Sequence, residues 1–223
     1  MIRLDFKLMR LTLFLYLFFV VLFSLLLFAF PDLFAANERS NGVYDSTAFY
    51  FLDFLFSFLS SASVILQLGG TFEPKTYDFI GSLPVKSTPL TRWLRSAGFF
   101  AVVQLICAAL TYSVLDIGIS FARMCYISFA NTILFLSLAL LITLLARQIF
   151  YVFCILYGYM FIDMIVGDNF FRDKSLFVNI FATFSCESVD VNRFAVYCIS
   201  MFSIIVSILI IKSDIHRKMN LLR

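Results

Sequence analysis

Long, uninterrupted apolar runs dominate the chain, and they do not alternate with polar residues as the strands of an outer-membrane barrel do. A helix needs roughly 20 mostly apolar residues to cross the hydrocarbon core of a bilayer. Runs of about this length cover residues 11–30, 47–68, 97–114, 125–146, 149–166 and 194–211. Because backbone amides in lipid must be bonded internally, the pattern predicts an all-α, polytopic membrane protein with six transmembrane helices.

Composition excludes other classes of protein. Of the 223 residues, 62% are hydrophobic and 14% are charged, whereas soluble domains have roughly 45–50% apolar and about 25% charged residues. A soluble globule of this size could not bury that much apolar surface, and a disordered chain has the opposite composition. The net charge of +3 is small and not gathered into one long basic tract, so we expect no nucleic-acid partner.

The distribution of basic residues predicts how the chain is oriented. With the N-terminus in the cytoplasm, 12 of the 17 Lys and Arg residues fall on the cytoplasmic side, as the positive-inside rule requires. An even number of spans then leaves both termini in the cytoplasm. We expect the protein in the plasma membrane. The first run follows a basic N-terminal segment like that of a signal peptide, but its length favours a retained span.

One loop on the predicted cytoplasmic side is long and unusual. Residues 69–95 hold three of the four prolines, and Phe79, Ile80 and Leu83 fall near one face at helical spacing. Pro84 ends that helical stretch and Pro89 stiffens the residues after it. The pattern indicates a short amphipathic element held between two spans, and an ordinary loop lying on the membrane surface is the alternative.

The same loop carries a short motif. Glu73 is followed by Ser82-Leu83-Pro84-Val85 and Lys86, with Arg92 and Arg95 before the third span. This stretch resembles the loop between the second and third spans of ABC type 2 exporter permeases. The chain looks closest to small permeases of peptide exporters, such as those that export phenol-soluble modulins.

The resemblance implies a cytoplasmic coupling helix that docks on a separate cytosolic ATPase. Apolar side chains would fill a groove on the ATPase, and charged ones would fix the orientation. The docking residues implied are Glu73, Tyr77, Phe79, Ile80, Ser82, Leu83, Pro84, Val85 and Lys86. The resemblance also implies a second permease copy or paralogue, giving twelve spans, and a short interfacial helical segment on the outer side between the fifth and sixth spans.

The sequence predicts a permease domain over residues 1–223 with no enzymatic activity of its own. None of its eight glycines is followed by the Lys and Ser or Thr that a P-loop needs. We therefore expect ATP and magnesium to be bound by the partner chain, and no cofactor by this one. The five cysteines show no paired spacing and the single histidine, His216, lies in the basic tail, so no metal site is predicted.

Acidic residues within the spans are the candidate substrate pathway. Asp53 in the second span and Asp163 in the fifth are costly in lipid and are expected to face the bundle interior or water. One hypothesis is that they line an outward-opening cavity with Tyr157, suited to a cationic or amphipathic substrate such as a toxin or antimicrobial peptide. The alternative is interfacial carboxylates that reach the headgroups or pair with a loop arginine.

Other functions remain open at this point. A secondary transporter or channel not powered by ATP is the main alternative, although the two halves show no matching loop. A haem-exporter-like ABC permease shares the length and layout. An intramembrane serine protease or metalloprotease is disfavoured because no span contains His or Glu. An aspartyl protease stays open on the two aspartates, although these lie far apart and lack recognisable flanking motifs. The sequence does not distinguish a homodimer from a heterodimer.

Overall fold

Six α-helices make up most of the chain that the structure describes. A computed structural model describes residues 10–34, 37–38, 44–45, 51–69, 88–115, 120–170 and 189–221. The helices are α1 (Arg10–Ala29), α2 (Phe56–Gly69), α3 (Pro89–Val114), α4 (Phe121–Ala146), α5 (Ile149–Phe170) and α6 (Val189–Leu221). The prediction of an all-α fold is confirmed for these residues.

Short irregular elements connect α1 to α2. A single 3₁₀ turn, Pro31–Leu33, follows α1, and a π-helical turn, Phe51–Leu55, leads directly into α2. Between them, the two-residue strands β1 (Asn37–Glu38) and β2 (Tyr44–Asp45) pair in antiparallel fashion. They are too short to change the helical character of the fold.

Helix ends follow local capping chemistry. Thr88 caps α3 by accepting a hydrogen bond from the Thr91 amide, and Pro89 occupies the first turn, where its missing N–H costs nothing. Ser120 caps α4 in the same way. Arg147 follows the last residue of α4 and has a positive φ of 53°. Only Arg147 and Gln148 join α4 to α5, and the sequence predicts the boundary at these two residues.

Helices α2 and α4 form the interior of the bundle. In the stretch Leu52–Gly69, which joins most of the π-helical turn to α2, 78% of the residues are buried, and in the most apolar part of α4 61% are buried, against 17–28% for α1, α3 and α6. Helix α4 packs against α2, α3, α5 and α6. The outer helices therefore turn large apolar side chains such as Phe14, Phe18 and Phe202 outward, which is the arrangement expected for a surface in contact with lipid.

Aromatic side chains attach α1 to this interior. Tyr16, Phe23 and Leu27 lie on one stripe of the helix and are fully buried. The Tyr16 ring meets Phe56 of α2 and Phe100 of α3 at centroid distances of 5.5 and 4.8 Å. These tilted and edge-on contacts are a favoured geometry for aromatic pairs, so aromatic packing holds α1 against α2 and α3.

Five helices are long and apolar enough to cross a membrane among the described residues, namely Arg10–Ala29, Leu52–Gly69, Pro89–Val114, Phe121–Ala146 and Asp190–Ser213. The remaining predicted span, 149–166, corresponds to α5, in which Ile149–Phe161 is a shorter apolar helix among the residues searched. The described helices are thus compatible with a multi-pass membrane protein.

Helices α3 and α6 begin before the apolar runs from which they were predicted, because charged residues ended those runs. Helix α3 begins at Pro89 rather than at residue 97, so Arg92 and Arg95 are helical rather than part of a loop before the helix. Helix α6 begins at Val189 rather than at 194, which places Arg193 inside it. Arg92 and Arg193 are both buried, since tertiary contacts accept charges that a hydropathy window treats as a break.

Candidate functional site

A buried ion pair joins the π-helical turn to α6. The Arg193 Nη2 donates to Asp53 Oδ2 at 3.1 Å, and the two residues are 0% and 3% exposed. Asp53 lies in the middle of the π-helical turn, and Arg193 lies in the second turn of α6. Opposite charges removed from water at this distance attract strongly because little solvent screens them.

Asn131 of α4 completes the site. Its side-chain oxygen accepts a hydrogen bond of 2.6 Å from Arg193 Nη1. The guanidinium therefore bonds a carboxylate with one nitrogen and an amide with another, which uses its planar fork. We call Asp53, Asn131 and Arg193 the ion-pair cluster. Three separate parts of the chain meet there, namely the π-helical turn, α4 and α6.

Gln104 of α3 braces the π-helical turn next to the ion-pair cluster. Its amide nitrogen donates to the carbonyl oxygens of Leu52 and Ser128, both at 2.9 Å. A π-helical turn disturbs the regular helical bonding pattern, and such turns occur frequently at functional sites. The side chain of Gln104 thus satisfies the Leu52 carbonyl within a buried region.

Hydroxyl groups extend the polar contacts along α2. The Ser57 and Thr132 hydroxyls are hydrogen-bonded at 2.8 Å, which links α2 to α4. Further along, Tyr157 of α5 donates to the Phe58 carbonyl at 3.1 Å and lies 3.2 Å from the Ser61 hydroxyl. Small hydroxyl residues allow close helix approach in membranes and also supply interhelical bonds.

A second polar group lies at the other end of α2, beside the undescribed segment 70–87. Ser96 of α3 donates to Gln67 of α2 at 2.6 Å, and the Trp93 indole donates to the Leu136 carbonyl of α4 at 2.7 Å. These bonds fix the start of α3 against both α2 and α4.

The end of α2 also fits tightly against the start of α5. A Cβ atom built on Gly69 would lie 2.1 Å from Ile149 Cγ1. Only glycine allows this approach without a shift of the neighbour. The last residue of α2 is therefore in contact with α5 immediately before segment 70–87 begins.

The ion-pair cluster can position helices, or a charged ligand, through electrostatic attraction and hydrogen bonds. Among the described residues, no group of three His, Cys, Asp or Glu side chains could hold a metal ion. The guanidinium and carboxylate neutralise each other. The cluster can therefore hold helices together or exchange its internal bonds for bonds to water or a charged ligand.

The predicted site residues fall partly inside and partly outside the described part of the chain. Asp53 is buried and paired with Arg193 of α6, whereas the alternative considered from the sequence was an interfacial carboxylate that pairs with a loop arginine. Tyr157 is buried between α5 and α2, with its hydroxyl bonded to Phe58 and Ser61. The structure describes only the backbone of Asp163, in α5. The predicted docking residues, from Glu73 to Lys86, lie outside the described residues.

Sequence reasoning missed Asn131, Gln104 and Arg193. Each carried a signal, because Asn131 and Gln104 interrupt the fourth and third apolar runs, and Arg193 directly precedes the sixth. Polar residues at such positions mark functional or packing sites in membranes. Their mutual contacts could not be read from the sequence, since 140 residues separate Arg193 from Asp53.

Comparisons with known proteins give no relative: no family model, curated protein or solved structure matches the chain.

Proposed function

We propose that the chain is the membrane-spanning permease subunit of an ATP-binding-cassette exporter with six spans. It moves an amphipathic substrate, such as a toxin or antimicrobial peptide, out of the cell across the plasma membrane. A separate cytosolic ATPase docks on residues 73–86 and binds the ATP and magnesium. Two permease subunits, identical or paralogous, supply twelve spans.

The observation that carries the proposal is the motif of segment 70–87 together with the bracing of the helices on either side of it. The Gln67–Ser96 bond ties α2 to α3, and the Trp93 bond ties α3 to α4. The contact between Gly69 and Ile149 adds α5. A force applied to a stiff segment between such helices moves four helices together, whereas a loosely held loop would absorb it.

Charge distribution supports the orientation. Segment 70–87 and both termini hold most of the Lys and Arg residues and thus lie in the cytoplasm by the positive-inside rule. The ion-pair cluster, at the opposite end of α2, then lies toward the outer side. In this proposal Asp53, Tyr157 and Asp163 flank the substrate pathway, and their acidic and aromatic character suits a cationic or amphipathic peptide.

A secondary transporter or channel is the second candidate, and the buried Asp53–Arg193 pair favours it. Ionisable residues buried in membrane helices often belong to ion or proton pathways. The two functions differ in their need for a partner, since a secondary transporter works without an ATPase chain.

Co-purification tests the proposal. The tagged full-length chain is isolated from its native membrane in mild detergent, and P-loop ATPase chains are identified by mass spectrometry. We expect one ATPase chain in near-equal amount, and we expect Leu83→Asp to reduce its recovery by about tenfold or more, because an apolar anchor at such an interface contributes at least about 2 kcal/mol.

The matched control is Ile119→Asp, which places the same charge in a predicted outer loop. Recovery of the ATPase should be unchanged by it. Full recovery with Leu83→Asp, or transport by the purified chain alone in vesicles, contradicts the proposal and favours the secondary transporter.

A further inference from the structure

Three polar contacts converge on residues 52–57, at the end of α2 remote from segment 70–87. The Asp53 carboxylate pairs with Arg193, the Leu52 carbonyl accepts from Gln104, and the Ser57 hydroxyl bonds Thr132. They connect this stretch to α6, α3 and α4, respectively. Of these three contacts, only the Asp53–Arg193 pair carries formal charge. We therefore expect it to contribute most to the stability of this end of the bundle.

Helices α4 and α6 are tied to each other independently of Asp53. The Tyr126 hydroxyl donates to the Asp190 carbonyl at 3.1 Å, and the Tyr197 hydroxyl donates to the Tyr126 carbonyl at 2.9 Å. The two tyrosine rings stack at 5.3 Å. Helices α4 and α6 therefore form one unit at this end, and the ion pair connects that unit to the π-helical turn.

The energetics of a buried ion pair give it two preferred arrangements. In the dry arrangement, the two charges compensate each other, and the Asn131 amide adds a hydrogen bond to the guanidinium. If the π-helical turn moves away, each charge loses the counter-charge of this pair, which is costly in a buried region unless water takes its place. Partial separation without water is the least favourable arrangement, so this end of the bundle is either closed and dry or open and wet.

The backbone at Asp53 is suited to such a movement. A π-helical turn is closed by i→i+5 rather than i→i+4 hydrogen bonds, so a change to α-helical bonding would shift the residues within it. Asp53 lies within the turn, so its carboxylate would move away from Arg193 while the rest of α2 stays packed.

We propose that the Asp53–Arg193 pair is a latch that holds the end of the bundle remote from segment 70–87 closed, and that its separation admits water and opens a route for release. The release role rests on the proposed function. The latch itself is a property of this chain and requires no ATPase.

Thiol labelling of the chain purified alone in lipid nanodiscs tests the latch. Ser60 is fully buried two turns beyond Asp53, and Ser60→Cys is labelled with a membrane-impermeant maleimide and quantified by peptide mass spectrometry. We expect Asp53→Asn to raise the labelling rate by about tenfold or more, because the Arg193 guanidinium stays charged without the Asp53 carboxylate and draws in water. The double variant Asp53→Asn with Arg193→Gln should stay near the original rate, since no charge remains to be hydrated.

Ser96→Cys is the matched control, because Ser96 is buried at the other end of the bundle. Its labelling should be unchanged by Asp53→Asn. Equal labelling of Ser60→Cys with and without Asp53→Asn overturns the latch. An equal rise in the labelling of Ser60→Cys and Ser96→Cys also overturns it, because the pair would then stabilise the whole fold and not one end of it. Loss of ATPase co-purification would overturn the proposed function and leave these rates as they are.

Discussion

At the scale of single residues, several polar side chains inside the bundle bond to one another or to backbone carbonyl groups. Arg193 bonds Asp53 and Asn131, Gln104 bonds two carbonyl groups, and the Tyr157 hydroxyl bonds α2. Serines in α2 and α6 donate to carbonyls three or four residues earlier in their own helices. Such bonding removes the cost of a hydroxyl in an apolar interior.

The ion pair leads to an asymmetric prediction. Asp53→Asn leaves the Arg193 guanidinium buried and always charged, whereas Arg193→Gln leaves a carboxyl that can become neutral by taking up a proton. We expect Asp53→Asn to lower the free energy of unfolding by about 3–5 kcal/mol and Arg193→Gln by less. Denaturation of the purified protein in detergent micelles measures both.

The exposed pair between Arg123 and Asp190 serves as the control. Its atoms are 3.3 Å apart, but both side chains are more than half exposed, so Asp190→Asn should cost less than about 1 kcal/mol. If Asp190→Asn and Asp53→Asn lowered the free energy of unfolding by similar amounts, burial would not be the reason for the large effect at Asp53.

At the scale of helices, close packing rather than polar bonding decides how the end of α2 meets α5. Gly69 is the last residue of α2, and its missing side chain makes room for Ile149. The short turn at Arg147 and Gln148 fixes where α5 begins. The last residue of α2 is therefore positioned by a contact as well as by the covalent chain.

Substitution of Gly69 tests this contact. Gly69→Ala should destabilise the protein by about 1–3 kcal/mol, the usual cost of overpacking, and adding Ile149→Ala should restore much of the loss. Thermal unfolding in detergent is the measurement. At Gly158 in α5 a Cβ atom has open space, so Gly158→Ala should be neutral or stabilising; a loss there equal to that of Gly69→Ala would argue against the steric explanation.

At the scale of the whole molecule, the bundle has an inner pair of helices and an outer apolar surface. Helices α2 and α4 hold most of the polar contacts, while α1, α3 and α6 present large apolar side chains outward. An aqueous protein could not keep such a surface exposed, whereas a bilayer requires it. The ion-pair cluster and the group around Gln67 and Ser96 lie at opposite ends of α2, and buried hydroxyl side chains such as Ser60 and Ser63 lie between them.

The proposed orientation makes a prediction for intact cells. A membrane-impermeant maleimide should label Cys186, which lies in the predicted outer loop, and should not label a cysteine introduced by Leu222→Cys in the C-terminal tail. Labelling is measured on the isolated protein after quenching, with Cys186→Ser as the control. Labelling of the tail instead would invert the topology.

Much of the fold is predictable from the sequence because burial in lipid imposes a one-dimensional rule. A helix across a membrane must be apolar along its whole length, so the helices and the boundary at residues 147–148 are visible as runs. The rule does not cover Arg92 and Arg193, which lie in helices but outside the apolar runs. Hydropathy treats each residue alone and does not include the partner that compensates its charge.

The sequence by itself determined the helical class of the fold and apolar runs long enough for a bilayer. It also determined where most of those runs lie along the chain. Only the tertiary structure decided that Asp53 pairs with Arg193 beside Asn131, that Gln104 braces the π-helical turn, and that Gly69 admits Ile149. The reason is physical: hydropathy acts along the chain, whereas ion pairing and close packing depend on distances between residues that the chain keeps far apart.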